Sequence, residues 1–416
     1  NRGFALSGNR LLLATIDAHL LALDKRTGQL LWDTTIADYT KGYSGTGAPQ
    51  IVKDKVIVGA GGAEFANRGF IDAYSIATGE RLWRTWTIAG PGERGSESWS
   101  DGNDAWKRGG GSTWVTGSYD PELNLLYWGT GNPAPDMNDS QRPGDNLYSN
   151  SMLALDPDTG KMKWYFQFTP HDVHDWDGVN EPVLADVLVN GVPRKLLLQA
   201  NRNGFLYALD RVNGKFVYGV PFVKQTWAKK LDANGRPVLE PDMEPTKEGR
   251  PVCPGLGGGK NWNHMAFSPQ TGMVYVPSKE SCDLFFVEDL GEPTPFYMWM
   301  AGTTESDPNQ PGWGAFRAFD AASGKLAWEF KMLEPQSGSA LATGGDLVFL
   351  GDGFGYFIAF DARSGKVLWK FQTGAGARGR GGITAPAITY LLDGKQYIAV
   401  VAGTSLFSFK LPDGVK

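Results

Sequence analysis

The side chains that could do chemistry cluster in a few glycine- and proline-rich stretches. Gly61-Gly62-Ala63-Glu64 presents a carboxylate, Gly129-Thr130-Gly131-Asn132-Pro133 an amide, and Thr169-Pro170-His171-Asp172-Val173-His174-Asp175-Trp176-Asp177 carboxylates and imidazoles together. Carboxylate and amide oxygens are the donors hard cations take, several at a time. Asp177 stands two positions after Asp175, and in an extended segment side chains i and i+2 point to the same side. Singly, each has a plain alternative: Glu64 and Asp175 as loop acids, Asn132 as a turn former, Asp177 as a solvated carboxylate. His171, His174 and His264 raise a zinc site as a reading. Arg202, in Asn201-Arg202-Asn203-Gly204, is a fork for anionic oxygens or a turn arginine. With only Cys253 and Cys282, a Cys₄ zinc site is excluded, and without Cys-x-x-Cys-His so is a covalent c-type haem. The two cysteines allow one disulfide or two buried thiols.

The elements that must position these residues are short strands. Among 416 residues there are 55 glycines, 15 tryptophans and 14 tyrosines, a composition of tight turns and large aromatic packing units, so the chain reads as all-β. A pattern Ala-x-Asp-x-x-(Thr/Ser)-Gly-x-x-x-Trp recurs at Ala22 to Trp32, Ala73 to Trp83, Ala154 to Trp164, Ala208 to Tyr218, Ala318 to Trp328 and Ala359 to Trp369, relaxed at Ser75, Asn213 and Tyr218. Each copy predicts a strand, an Asp/Gly turn and a second strand whose aromatic packs between neighbouring sheets. Spacings of roughly 40 to 55 residues match the blade of a β-propeller, and the chain holds about seven blades' worth, its last strands falling in Ala385 to Lys410. Two longer intervals, around Glu97 to Trp114 and from Tyr218 through Gly257-Gly258-Gly259 to Trp313, are where a site is expected. A net charge of −5 with mixed signs gives no basic stripe for nucleic acid. No apolar run approaches the roughly 18 residues that cross a bilayer, and no leader-like segment opens the chain.

The repeat and these motifs together resemble the methanol and ethanol dehydrogenases that use pyrroloquinoline quinone, with order and spacing agreeing from Asn1 to Pro412. The resemblance implies an eight-bladed propeller of which 1–416 would be a single domain lacking the first blade. Carried over by position, Glu64, Asn132 and Asp175 match the metal ligands, Asp175 also the catalytic base, and Arg202 the cation at the quinone carbonyl. Arg2, Thr46, Ser112, Arg202 and Asn261 match positions that contact the cofactor's carboxylates and carbonyls, Gly62 and Ala63 belong to its binding segment, and Trp114 resembles the indole on which it lies. Trp114 also falls outside the tryptophan repeat. Asp177 is the feature shared with lanthanide-dependent members, where calcium members usually carry an uncharged residue; an added carboxylate suits a trivalent ion, with calcium as the alternative. His171 and His174 fit the family's loop as structural residues. Cys253 and Cys282 match a family disulfide, which supports the periplasm.

Two departures bear on the substrate. Asp136 replaces a tryptophan that narrows the alcohol pocket of methanol dehydrogenases, and Ser337 stands where a tryptophan often borders the quinone, so a wider entrance and an alcohol larger than methanol are expected. The pair of adjacent cysteines that the family carries shortly before the position of Arg2 is absent from the sequence. The resemblance implies hydride transfer from an alcohol to the metal-bound quinone, with electrons passed to a soluble cytochrome c; a homodimer is one open assembly state. A sugar or polyol dehydrogenase of the same cofactor class, and a non-catalytic propeller scaffold such as the outer-membrane assembly lipoprotein, are the rival readings.

Overall fold

The computed structural model describes residues 1–99, 104–335, 338–376 and 382–411. Ser337 lies outside them. The chain is a β-propeller made of six four-stranded antiparallel sheets in chain order, followed by a three-stranded one, among the described residues. The first runs from strand Ala5–Ser7 to Leu30–Thr35, the second from Gln50–Val52 to Arg81–Trp86, and the third from Ser118–Asp120 to Met162–Gln167. The fourth spans Val183–Val189 to Phe216–Pro221, the fifth Ala266–Ser268 to Leu326–Met332, and the sixth Ala340–Ala342 to Val367–Gln372. Strands Ile388–Leu392, Lys395–Ala402 and Ser405–Lys410 make the seventh. Two small sheets come from the longer of the two intervals: Ala228–Leu231 with Pro237–Leu239, and Arg250–Val252 with Asp283–Val287 and Gly302–Ser306. No helix of the described residues is long and apolar enough to cross a membrane.

The repeat has one structural meaning in all six copies. Its alanine pairs with its aromatic across the two outer strands, as in Ala22↔Trp32 and Ala318↔Trp328, and the ladder slips by one residue immediately after that alanine. The same slip follows Ala73, Ala154, Ala208 and Ala359. Such a bulge sharpens the twist and turns the edge aromatic toward the next sheet. Trp32 donates its indole N–H to the carbonyl of Ile76 at 3.1 Å, Trp83 to Pro157 at 3.0 Å, and Trp328 to Ala362 at 3.0 Å, while the Tyr218 hydroxyl donates to Ala321 at 2.7 Å. The ring lies on the turn glycine of the next repeat: a Cβ on Gly79, at φ +75°, would stand 2.7 Å from Trp32. The corresponding surface over Gly28 of the first sheet is open.

Packing follows this chain of docked aromatics. Six apolar clusters lie between successive sheets, for example Leu12, Leu20, Val56 and Phe70 between the first and second, and Phe349, Phe357 and Val400 between the sixth and seventh. None joins the seventh to the first among the described residues. In an antiparallel four-stranded sheet, the link between second and third strands and the exit to the next sheet emerge on the same face. That topology gathers the segments around Glu64, Asn132 and Arg202 with those holding Thr46, Ser112, Trp114, Asp175, Asp177 and Asn261.

Candidate functional site

Four of the expected residues meet directly. Arg202, 6% exposed in its side chain, follows strand Val192–Ala200 and reaches both aspartates of the 169–177 segment. Its Nη1 is 2.5 Å from Asp177 Oδ2 and its Nη2 3.2 Å from Asp175 Oδ2, while Nη2 also donates to the Leu256 carbonyl at 2.6 Å. The other oxygen of Asp177 accepts the backbone N–H of Asn132 at 3.1 Å. Asn132 donates its amide to Asp136 Oδ1 at 2.7 Å. This pairing leaves Asn132 Oδ1, Asp136 Oδ2 and Asp175 Oδ1 buried with no hydrogen-bond partner.

Local structure explains the placement. Glu64 is carried by a single 3₁₀ turn, Ala63–Phe65, entered through Gly62 at φ +116°, where a Cβ would stand 2.4 Å from the Gly42 carbonyl. Asp175 itself has φ +57°, a left-handed conformation that non-glycine residues adopt only when surroundings impose it. Asp172 imposes it: its Oδ1 accepts the His174 N–H at 2.9 Å, and its Oδ2 the Trp176 N–H at 2.7 Å and the Asn150 amide at 2.9 Å. Arg142, wholly buried, ties this loop to the neighbouring one by donating to the carbonyls of Pro135, Asp136 and Asp172 and to Asn146 Oδ1. The cysteines form a disulfide, Cys253–Cys282, three residues before the Leu256 carbonyl that receives Arg202.

The electrostatics are those of acids crowded out of water. Burial and the Asp177 charge raise Glu64; burial, then Asp175 and Glu64, push Asp136 well above the usual carboxylate range. Asp175 is also driven well up by burial, with Arg202 opposing and Asp177 and Glu64 adding to it. Asp177 is raised by burial, again against Arg202. Burial works against the Arg202 charge, but Asp175 and Asp177 outweigh it and hold the guanidinium protonated. A cation would resolve this crowding. Among the described residues no three acidic, histidine or cysteine side chains already converge as a preformed metal cage. The orphaned oxygens of Asn132, Asp136 and Asp175, one amide and two carboxyl, are nonetheless hard donors of the kind a lanthanide or calcium ion takes, and in this the site fits such an ion.

A second group forms the wall for a flat anionic molecule. Arg2 lies 4.6 Å from the Trp114 ring centre and 5.0 Å from that of Trp262. Its backbone N–H donates to Thr46, whose hydroxyl donates to the Trp114 carbonyl at 3.2 Å. Arg2 Nε, Ser112 Oγ and Arg202 Nε are buried donors without partners. Ser112 meets the acid cluster through Gly131, whose N–H its carbonyl accepts and whose missing Cβ makes room for Asp177 Oδ1. Asn261 is more distant in its bonds: its amide donates to Gly257 at 3.3 Å and its carbonyl accepts Asn180. Among the described residues the histidines join no cluster that could hold a metal: His171 bonds Asp139 and Gly144, and His174 stacks on Trp176 at 4.3 Å and bonds the Met243 carbonyl.

Sequence reasoning missed three participants. Asp136, read as an opened pocket wall, is fully buried against Asn132. Arg142 and Asp172 brace the loops, and the excursion between the fifth sheet's strands folds back so that Trp299 donates to the Glu64 carbonyl and Met300 accepts from Met137. Only the four-residue spacing of Asn132 and Asp136 signalled any of this. A groove of about 590 Å³ between the fifth and sixth sheets shares no residue with the site.

Comparison with known proteins agrees with this fold. Residues 5–226 match the model of the glucose/ethanol/alcohol dehydrogenase β-propeller domain, and residues 314–415 that of the outer membrane protein assembly factor BamB. The chain is 43% identical over 375 residues to the quinoprotein alcohol dehydrogenase PedH of Pseudomonas putida, covering 84% of this chain and 62% of the relative. It is 39% identical over 380 residues to a lanthanide-dependent methanol dehydrogenase of Methylacidiphilum fumariolicum, with 84% of this chain and 61% of the relative covered. The chain thus spans about six-tenths of the length of these relatives. The solved structure of a europium-containing methanol dehydrogenase superposes with a TM-score of 0.88 at 39% identity, over 97% of this chain and 73% of that one. A BamB structure at 16% identity and a TM-score of 0.54 shares the fold alone.

Proposed function

This chain belongs to the pyrroloquinoline quinone-dependent alcohol dehydrogenases, and from that premise we propose that it oxidises an alcohol to an aldehyde or ketone in the periplasm, with a lanthanide at its metal site and a cytochrome c as electron acceptor. The observation that carries the reading is Arg202 bridging Asp175 and Asp177 beside three orphaned oxygens. Glu64, Asn132, Asp175 and Asp177 would hold the cation, which supplies Lewis-acid polarisation. Pyrroloquinoline quinone, when bound, supplies the acceptor for the hydride that leaves the alcohol carbon.

The chain's own residues do the rest. Asp175 takes the hydroxyl proton on Oδ1, since Oδ2 is engaged by Arg202. Arg202 opposes the effect of burial on that carboxylate and aims it, and its unpartnered Nε is a further donor at the site. Trp114 offers the flat face for stacking, with Arg2 and Ser112 supplying cation and hydroxyl to carboxylates. Asp177 spends one oxygen on Arg202 and one on Asn132, yet each keeps a lone pair and its charge for the cation.

Dye-linked alcohol oxidation by the chain reconstituted with pyrroloquinoline quinone, with lanthanum against calcium and with Asp177→Ala, tests this. Activity with lanthanum that falls at least ~10-fold in Asp177→Ala is expected. Calcium activity indifferent to Asp177 would contradict the lanthanide assignment.

A further inference from the structure

We propose that Asp136 is an additional carboxylate of the metal site, directing its free oxygen to the cation held by Glu64, Asn132, Asp175 and Asp177 and biasing the site toward trivalent over divalent ions. The inference rests on the metal reading above and deepens it.

Asp136 is fully buried, and a carboxylate withdrawn from water needs compensation for each oxygen. Oδ1 receives the Asn132 amide at 2.7 Å; Oδ2 receives nothing. The nearby guanidinium of Arg142 spends its N–H groups on the carbonyls of Pro135, Asp136 and Asp172 and on Asn146, leaving the Asp136 carboxylate unpaired. Because the Asn132 amide nitrogen points to Asp136, Asn132 Oδ1 is freed as well, so two of the three orphaned acceptors belong to one hydrogen-bonded unit. The charges of Asp175 and Glu64 bear on Asp136. Asn132 joins Asp136 to their enclosure, with its backbone N–H on Asp177 and its amide on Asp136; each Asp177 oxygen already carries a hydrogen bond, while Asp136 Oδ2 carries none. An added negative donor favours higher cation charge, since each carboxylate gains more from a trivalent ion.

The metal-stripped full chain would be titrated with terbium, read by tryptophan-sensitised luminescence, and with calcium, read by calorimetry. Asp136→Asn keeps the volume and an oxygen for the Asn132 amide while removing the charge. Terbium affinity is expected to fall ~10- to 100-fold and calcium affinity by distinctly less, with thermal unfolding of the metal-free variant unchanged or improved. Asp136→Glu, which restores the charge, should recover terbium binding. Unaltered terbium affinity in Asp136→Asn, an equal loss for both ions, or no recovery in Asp136→Glu would overturn the inference while leaving the metal site standing. A wild-type chain that binds neither ion would overturn both.

Discussion

Asp175 is held in a left-handed backbone conformation with one oxygen on Arg202 and the other free, an arrangement that aims the carboxylate proposed as the base. Asp175→Asn should therefore lower kcat for alcohol oxidation by about 10²- to 10⁴-fold while the folded chain still takes up quinone. His171 titrates nearer the surface. The Asp139 hydrogen bond raises its imidazole, so the pair stabilises the fold fully below the unfolded value of about 6.5 and loses that contribution as pH rises through the folded value. The ring is a third exposed, so the effect is about 0.5 kcal/mol or less. Urea midpoints of His171→Gln should fall less than those of the wild type between pH ~5.5 and ~8.5. At this scale Asn132, Asp175 and Asp177, like Glu64, came forward through the resemblance that their motifs carry together, since each alone has a plain alternative; the structure brings Asn132, Asp175, Asp177 and Arg202 into contact. Arg142, Asp172 and the metal-side role of Asp136 were not legible, because their meaning depends on burial and on partners from other loops that no local pattern announces.

At the scale of elements, the site is an assembly of connections braced by a few buried groups. Arg142→Met would strip four acceptors of their donor in a dry interior, and a loss of about 3 kcal/mol is expected in denaturant unfolding, with activity falling as the 132–136 and 172–177 loops loosen. A loss below about 0.5 kcal/mol would mean water reaches those carbonyls. The repeat was readable because its Ala, Gly and Trp each meet a local demand: a small residue opposite an indole, a left-handed turn, and an aromatic at the bulged edge. The sheet of Arg250–Val252, Asp283–Val287 and Gly302–Ser306, and the return of Trp299 onto Glu64, were not readable. Their strands are short, their pairing skips along the chain, and what aligns them is contact with the propeller.

For the whole molecule, docked aromatics and inter-sheet cores set the order in which stability is lost. Trp83 is clamped by Pro157 and Gly160 of the next sheet, whereas Trp369 is 40% exposed. Trp83→Ala should cost about 3 kcal/mol and Trp369→Ala about 1 kcal/mol, compared by equilibrium unfolding. The propeller architecture was legible because the same short pattern solves the same packing problem six times.

In the proposed function these loops would hold a quinone that supplies the hydride acceptor, with Asp175 as the base for the alcohol proton. The direct measurement is the anaerobic absorption spectrum of the metal- and quinone-reconstituted chain on addition of a primary alcohol. Conversion to the reduced quinone spectrum in the wild type, and its slowing by at least ~100-fold in Asp175→Asn with quinone still bound, is the predicted result. A wild-type chain that retains no quinone, or reduction at an equal rate in Asp175→Asn, would contradict it.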